Sequence, residues 1–134
     1  MPGPPAATVD PPAAPPAEAP RPTAPVVDEH AAVRATLGRY ESAYSDLNTA
    51  AAHAVWPGVD ERALARAFDS LSSQRVRLGT CEVGVNGATA RAICHGTASW
   101  TPKVGGGQQT KSRTWTFDLR QTRGTWQIVR VDAR

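Results

Sequence analysis

The chain changes its hydrophobic period once, close to Ser73. Before that residue, apolar side chains recur every three or four positions, and after it they alternate with polar ones. Capping and turn residues divide the first part into three helices, and turn signals divide the second part into four strands. This order predicts an α+β domain in which three N-terminal helices pack on a curved four-stranded antiparallel sheet.

The predicted helices begin or end at recognisable signals. Asp28 is a suitable N-cap for a helix over residues 29–46. The Ala-rich stretch 49–56 predicts a short second helix that Pro57 ends, and Asp60 is placed to cap a third. Helical spacing predicts which residues face inward: Val33, Leu37, Tyr40 and Tyr44 on the first helix, and Leu64, Ala67, Phe68 and Leu71 on the third.

The two cysteines lie on facing arms of the first predicted hairpin. If Gly87 and Ala88 form a two-residue turn that takes glycine first, Cys81 lies opposite Cys94 and the apolar residues share one face. Opposed residues of a non-hydrogen-bonded pair have Cα atoms about 4.5 Å apart, which a disulfide can span. We therefore predict a Cys81–Cys94 disulfide. The alternative is a reduced pair that packs as two small apolar side chains.

The other strands follow from period-two alternation. A bulge is predicted at Gly79 or Thr80, where the inward phase changes. The second strand, residues 89–100, has mainly small residues on its inner side, which leaves space above the sheet for a helix or a ligand. The last strand is predicted over residues 126–131. The third strand presents Trp115, Phe117 and Leu119 inward and Thr114, Thr116, Asp118 and Arg120 outward.

Composition separates residues 1–27 from the domain predicted over residues 28–134. The first segment holds ten of the twelve prolines, which favours a disordered Pro/Ala-rich linker. The chain has no apolar run long enough to cross a membrane and does not start like a signal peptide. We expect an extracytoplasmic location, periplasmic or cell-surface, if the chain is part of a longer polypeptide, and a cytoplasmic one otherwise.

Charge is unevenly distributed along the chain. The net charge is +3, but residues 1–74 carry −4 and residues 75–134 carry +7. The basic residues of the second part alternate with core positions along strands and do not cluster, so they favour a solvated outer sheet face. We therefore predict no nucleic-acid partner and no membrane insertion within this chain.

Three sets of local strings lie along residues 28–134: residues 33–44, residues 54–57 with 62–68, and residues 115–120 with 126–129. Together they resemble the nuclear-transport-factor-2-like superfamily, which includes SnoaL-like cyclases and relatives of ketosteroid isomerase. Residues 33–44 look like the first helix of that family, and the last set looks like its closing strands. The resemblance implies a curved sheet wrapped around helices, open at one end to a pocket. Bacterial domains of this kind also follow Pro-rich linkers in larger proteins, including membrane-anchored kinases.

The side chains predicted to face inward include candidates for a ligand pocket but no combination of residues typical of a catalytic site. The carboxylates of Glu82 and Asp118 face outward, so the isomerase pattern of a buried tyrosine with two pocket carboxylates is not matched. His30, His53 and His95 lack metal-ligand spacing, so we predict no metal site and no cofactor. The predicted pocket residues are Tyr40, Tyr44, His53, Trp56, Trp100 and Trp115.

Three functions remain open. The preferred one is a non-catalytic accessory or sensor domain that binds a small apolar ligand or a protein partner. The second is a SnoaL-like or isomerase-like enzyme for a small hydrophobic carbonyl compound, with Tyr44 as hydrogen-bond donor and His53 as base. The third is a dimerisation module, a homodimer formed through the outer sheet face.

Overall fold

The computed structural model describes residues 28–134, and the linker predicted over residues 1–27 lies outside that part of the chain. Three helices are followed by four antiparallel strands in the spatial order β1-β2-β3-β4, so the sheet is a meander. The predicted α+β class and element order are confirmed. The elements are α1 (Glu29–Ser45), α2 (Thr49–Val55), α3 (Glu61–Asp69), β1 (Leu71–Asn86), β2 (Thr89–Pro102), β3 (Gln109–Thr122) and β4 (Thr125–Ala133).

A polar side chain caps the start of each helix. In each case it accepts a hydrogen bond from the backbone N–H three residues later, at 3.3 Å for Asp28, 3.0 Å for Asn48 and 3.0 Å for Asp60. These bonds satisfy N–H groups that the first turn of a helix leaves unpaired. The aspartates that sequence analysis reserved for capping are therefore used there.

The third helix is shorter than predicted. It ends at Asp69, and Leu71 is the first residue of β1 instead of a helical core position. Phe68 is buried, but Ala67 is exposed. The prediction failed because Leu71 continues the helical spacing of Phe68 as well as it starts a strand, and periodicity alone does not decide between the two.

The β1–β2 hairpin has the predicted register. Cys81 pairs with Cys94, their Cα atoms are 4.0 Å apart, and the two side chains form a disulfide. At the turn, Gly87 has a φ of 61°, a left-handed conformation that glycine adopts without strain. The register shifts between Arg77 and Thr80, which confirms the predicted bulge.

The core lies between the helices and the inner face of the sheet. Phe117, Leu119 and Ile128 of the last two strands are fully enclosed, together with Val33 of α1. Burying such side chains is the main favourable contribution to folding, about 1.5–3 kcal/mol each. The predicted inward row of β3, from Trp115 to Leu119, is confirmed.

Helix α1 also covers the free edge of β1. Glu41 accepts a hydrogen bond from the backbone N–H of Leu78 at 2.7 Å, and Ser45 accepts one from Val76 at 2.9 Å. Arg34 donates to the carbonyl of Cys81 at 3.2 Å. These side chains replace the partner strand that an edge strand lacks, and they hold α1 in place above the sheet.

Candidate functional site

A cavity of about 380 Å³ opens beside α1, between the start of β1 and the inner face of the sheet. Small-molecule sites have volumes of about 300–1,000 Å³, so the cavity is large enough for a small organic ligand. Its aromatic and larger aliphatic lining comprises Tyr40, Tyr44, Leu71, Val76, Trp100 and Trp115, and its polar lining comprises Ser70, Gln74 and Arg113.

The space exists because β2 carries small residues on its inner side. Ala90, Ala92 and Cys94 are buried in the hydrophobic core. Ala98, further along the same face, borders the cavity next to Trp100. The row of small residues therefore serves both uses that the sequence suggested, with core packing at one end and open space at the other.

Two tyrosines from successive turns of α1 form one wall. The rings of Tyr40 and Tyr44 are stacked with centroids 4.2 Å apart. Phe117 packs edge-on against Tyr40 at 4.9 Å, and Phe68 packs edge-on against Tyr44 at 5.3 Å. These contacts fix both rings, because aromatic pairs favour stacked or edge-to-face arrangements.

Both phenols are held in the protonated form. Burial raises the pKa of Tyr40, and the neighbouring Tyr44 hydroxyl raises it further, against a smaller opposing influence of Arg113 and Trp115. Burial likewise raises the pKa of Tyr44. Both hydroxyl groups therefore stay protonated at neutral pH, and because the Tyr40 hydroxyl is directed to Tyr44, the Tyr44 hydroxyl is the one suited to donate to an oxygen acceptor on a ligand.

Among residues 28–134, Arg113 is the only charged residue that lines the cavity. It lies on β3 in the same inward phase as Trp115 and Phe117 and is partly buried. Gln74 of β1 also lines the cavity, and its amide donates to the backbone carbonyl of Tyr44 at 2.8 Å. The site thus combines aromatic walls with one cation and fixed polar groups.

Four of the six predicted pocket residues come together in this cavity: Tyr40, Tyr44, Trp100 and Trp115. His53 does not line it. Its Nε2 atom lies 3.8 Å from Glu61 Oε1, and its side chain is 45% exposed. Trp56 ends α2 and packs against the core. The enzyme hypothesis required His53 and Tyr44 to lie in one pocket. In the structure they do not, because His53 is outside the cavity lining.

Sequence analysis missed Arg113 and Gln74. Both carried a usable signal, because Arg113 shares the phase of Trp115 and Gln74 shares the phase of Val76. The basic residues of the strands are therefore not one outward-facing set, since Arg113 lies on the inner face.

The outer sheet face has a different character. A groove of about 430 Å³ there is lined by polar and charged residues of β2, β3 and β4. Arg91 Nε lies 2.9 Å from Asp118 Oδ1, and Arg134 Nε lies 3.0 Å from Asp132 Oδ2. Two of its three arginines therefore have a carboxylate partner on the same face, and the third, Arg130, is exposed to solvent.

Between residues 28 and 134, no three histidine, cysteine, aspartate or glutamate side chains are grouped so that they could hold a metal ion. None of the helices in that range has the length and hydropathy needed to cross a membrane.

Comparison with known proteins finds similarity only at the level of structure. No protein-family model and no curated protein matches the chain. A nuclear-transport-factor-2-like superfamily protein from Salmonella enterica serovar Typhimurium superposes with a TM-score of 0.71, 11% identity, and coverage of 80% of this chain and 92% of that one.

Two proteins from Novosphingobium species give similar values. An NTF2-like protein with a cystatin-like fold from N. aromaticivorans has a TM-score of 0.60 and 21% identity, covering 78% of this chain and 79% of its own. Hexachlorocyclohexane dehydrochlorinase LinA-type3 from N. barchaimii has a TM-score of 0.66 and 9% identity, covering 79% and 85%. The chain therefore has the nuclear-transport-factor-2-like fold, and the resemblance found in the sequence is confirmed at that level.

Proposed function

We propose that this domain binds a small, largely apolar ligand in the cavity beside α1 and acts as an accessory or sensor domain without converting that ligand. The observation that carries the proposal is the lining itself. It combines two tyrosines and two tryptophans with aliphatic residues, and within residues 28–134 no aspartate, glutamate or histidine lines it. Histidine, aspartate and glutamate are the most frequent general bases, and the raised pKa values of Tyr40 and Tyr44 make these two side chains poor bases at neutral pH.

The residues divide the work of binding in a simple way. Trp100 and Trp115 offer flat apolar surfaces for a ring system, and burial of that ring provides most of the affinity. The neutral hydroxyl group of Tyr44, which Tyr40 holds in place, orients the ligand by donating to one of its oxygens. Because both tyrosine rings are fixed by Phe117 and Phe68, little conformational entropy is lost on binding.

A ligand screen with matched tryptophan variants tests this proposal. We would measure the rise in Tm, and the quenching of tryptophan fluorescence, with a panel of naphthalene derivatives and steroids. Binding by the wild-type chain should be weakened at least about fivefold by Trp100→Phe. Trp56→Phe makes the same change outside the cavity and should bind like the wild type. Equal binding by both variants, or no binding by the wild type, would contradict the proposal.

We further propose an extracytoplasmic location. The Cys81–Cys94 disulfide supports it, because stable disulfides accumulate in oxidising compartments. Counting free thiols by mass spectrometry, on protein trapped with an alkylating agent in its native cells, tests this directly. An oxidised pair is expected. A pair that is alkylated at both cysteines would argue for a reducing compartment.

An isomerase-like or dehydratase-like enzyme is the second candidate. The tyrosine donors in the cavity favour it, and so does the structural similarity to a protein named as a dehydrochlorinase. His53 is a poor base for this role because it lies at Glu61, outside the cavity lining. If a carbonyl compound is turned over, Tyr44→Phe should lower kcat while His53→Ala leaves it unchanged. Insensitivity to Tyr44→Phe would end this version.

A further inference from the structure

The charge balance of the cavity points to a more specific class of ligand. Arg113 contributes a guanidinium group to an otherwise uncharged lining. Among residues 28–134 it forms no ion pair and no side-chain hydrogen bond, whereas Arg91 and Arg134 each have a carboxylate within 3.0 Å. Its five N–H donors are therefore left to solvent or to a ligand.

Partial burial makes an unpaired Arg113 side chain energetically unfavourable. A charge removed from water is costly unless an opposite charge or several hydrogen bonds compensate it. Arg113 is partly buried beside the Tyr40 ring and receives no such compensation from the described residues. A ligand that brings a carboxylate would supply the missing anion, and guanidinium binds carboxylate with two parallel hydrogen bonds.

The neighbouring groups suit an anion as well. Burial raises the pKa values of Tyr40 and Tyr44, so both remain neutral and do not repel a negative charge. Gln74, an uncharged member of the lining, donates to the backbone carbonyl of Tyr44. With no carboxylate in the lining, nothing in the described site opposes an anionic group next to Arg113.

We propose that the ligand is an aromatic or fused-ring carboxylic acid whose ring system lies against Trp100 and Trp115 and whose carboxylate binds Arg113. This inference rests on the proposed binding function and narrows its ligand class. It adds to the apolar ligand expected from the sequence a single negative charge at one end. A neutral apolar compound of the same size should bind the same cavity less tightly.

The test uses two probes of the same ring system and nearly the same size, the anion 2-naphthoate and the neutral 2-naphthamide, with dissociation constants measured by calorimetry. The wild-type chain should bind the naphthoate about tenfold more tightly. Arg113→Gln should remove that preference and leave naphthamide binding within about twofold. Arg113→Lys, which keeps the charge but not the planar fork, should retain part of it. Arg75→Gln, an exposed arginine of β1 outside the cavity lining, is the matched control and should behave like the wild type.

The possible failures are distinguishable. If both probes bind equally well to the wild type, or if Arg113→Gln keeps the preference, the carboxylate inference is wrong and the binding cavity stands. If neither probe binds at millimolar concentration and the wider panel also fails, both proposals are overturned. Urea unfolding of each variant shows whether it is folded, since loss of a partly buried arginine without a partner should not destabilise the domain.

Discussion

The two faces of the sheet differ in the number and surroundings of their charged side chains. On the outer face, Arg91 of β2 pairs with Asp118 of β3, whereas Arg130 is exposed and forms no ion pair among the described residues. On the inner face, within residues 28–134, the cavity is lined by apolar and aromatic side chains and by a single charged residue, Arg113. A charge that is paired or well solvated needs no further group. A partly buried cation without a partner does need one, so the inner face is the better candidate for a binding function.

The largest expected difference between the faces is in packing. Phe117 is fully buried, and Phe117→Ala should lower the free energy of unfolding by about 3–5 kcal/mol, since it removes a large side chain and leaves a cavity. Thr116→Ala, one position away and outward-facing, should change it by less than about 0.5 kcal/mol. Urea unfolding followed by circular dichroism measures both. Similar losses in the two variants would mean that the outer face is also part of the core.

Glycines on the two faces provide a second contrast. A Cβ atom at Gly96 would lie 1.9 Å from the carbonyl oxygen of Arg77, because the backbone of β1 passes close by at its bulge. Gly96→Ala should therefore cost about 2–3 kcal/mol. Gly84 has no atom within 4 Å of its Cβ position, and Gly84→Ala should be neutral or slightly stabilising. The urea midpoints of the two variants test this difference. An unchanged midpoint for Gly96→Ala would mean that the backbone of β1 does not lie this close to Gly96.

Alkaline pH should affect the inner face selectively. Burial raises the pKa of Tyr40 above its ordinary value, so the folded state keeps a proton that the unfolded state loses. The stabilisation is complete below about pH 10 and decreases as the pH rises above it, by at most about 1.4 kcal/mol per pH unit. In Tyr40→Phe this decrease should be shallower, with a remainder from Tyr44. Unfolding in urea at about pH 9 to about pH 11 measures both slopes, and identical slopes would rule out a buried Tyr40 phenol.

The smallest effect is expected from the outer ion pair. The Arg91 side chain is 64% exposed, and exposed pairs gain little over their interactions with water. Arg91→Gln should leave the urea midpoint unchanged within error at physiological ionic strength. A clear loss of stability would mean that the outer face contributes more than solubility, and would make the contrast with the inner face less sharp.

Local signals in the sequence were sufficient for most of the fold. Asp28 and Asp60 mark the starts of two helices, and the turn at Gly87 sets the register of the two cysteines. These features were predictable because a helix cap and a tight turn depend only on residues that are close together in the sequence. The end of α3 was wrong, since Leu71 fits a helix and a strand equally well. A register shift in β3–β4 next to Leu119 was not anticipated, because no glycine or proline marks it.

The candidate site was less predictable. Four aromatic members were found from their inward phase, but His53 was included for its chemistry, although the α2–α3 packing directs it to Glu61. Arg113 was not predicted, because the overall basic charge of the strands favours an outward face. Only its position two residues before Trp115 shows that it points inward. The cavity itself depends on how closely α1 approaches β1, and that distance is set by side chains such as Glu41 and Ser45, far apart from β1 in sequence.

Those contacts between α1 and β1 also bear on where the domain can be cut. A fragment starting after Ser45 would lose the groups that satisfy the backbone N–H atoms of Val76 and Leu78. The strand would then present an open edge to other molecules, and aggregation through that edge would follow. Helix α1 therefore protects the sheet from polymerisation through its edge. A shortened or fused version of the domain should begin upstream of Arg34, so that all three contacts are kept.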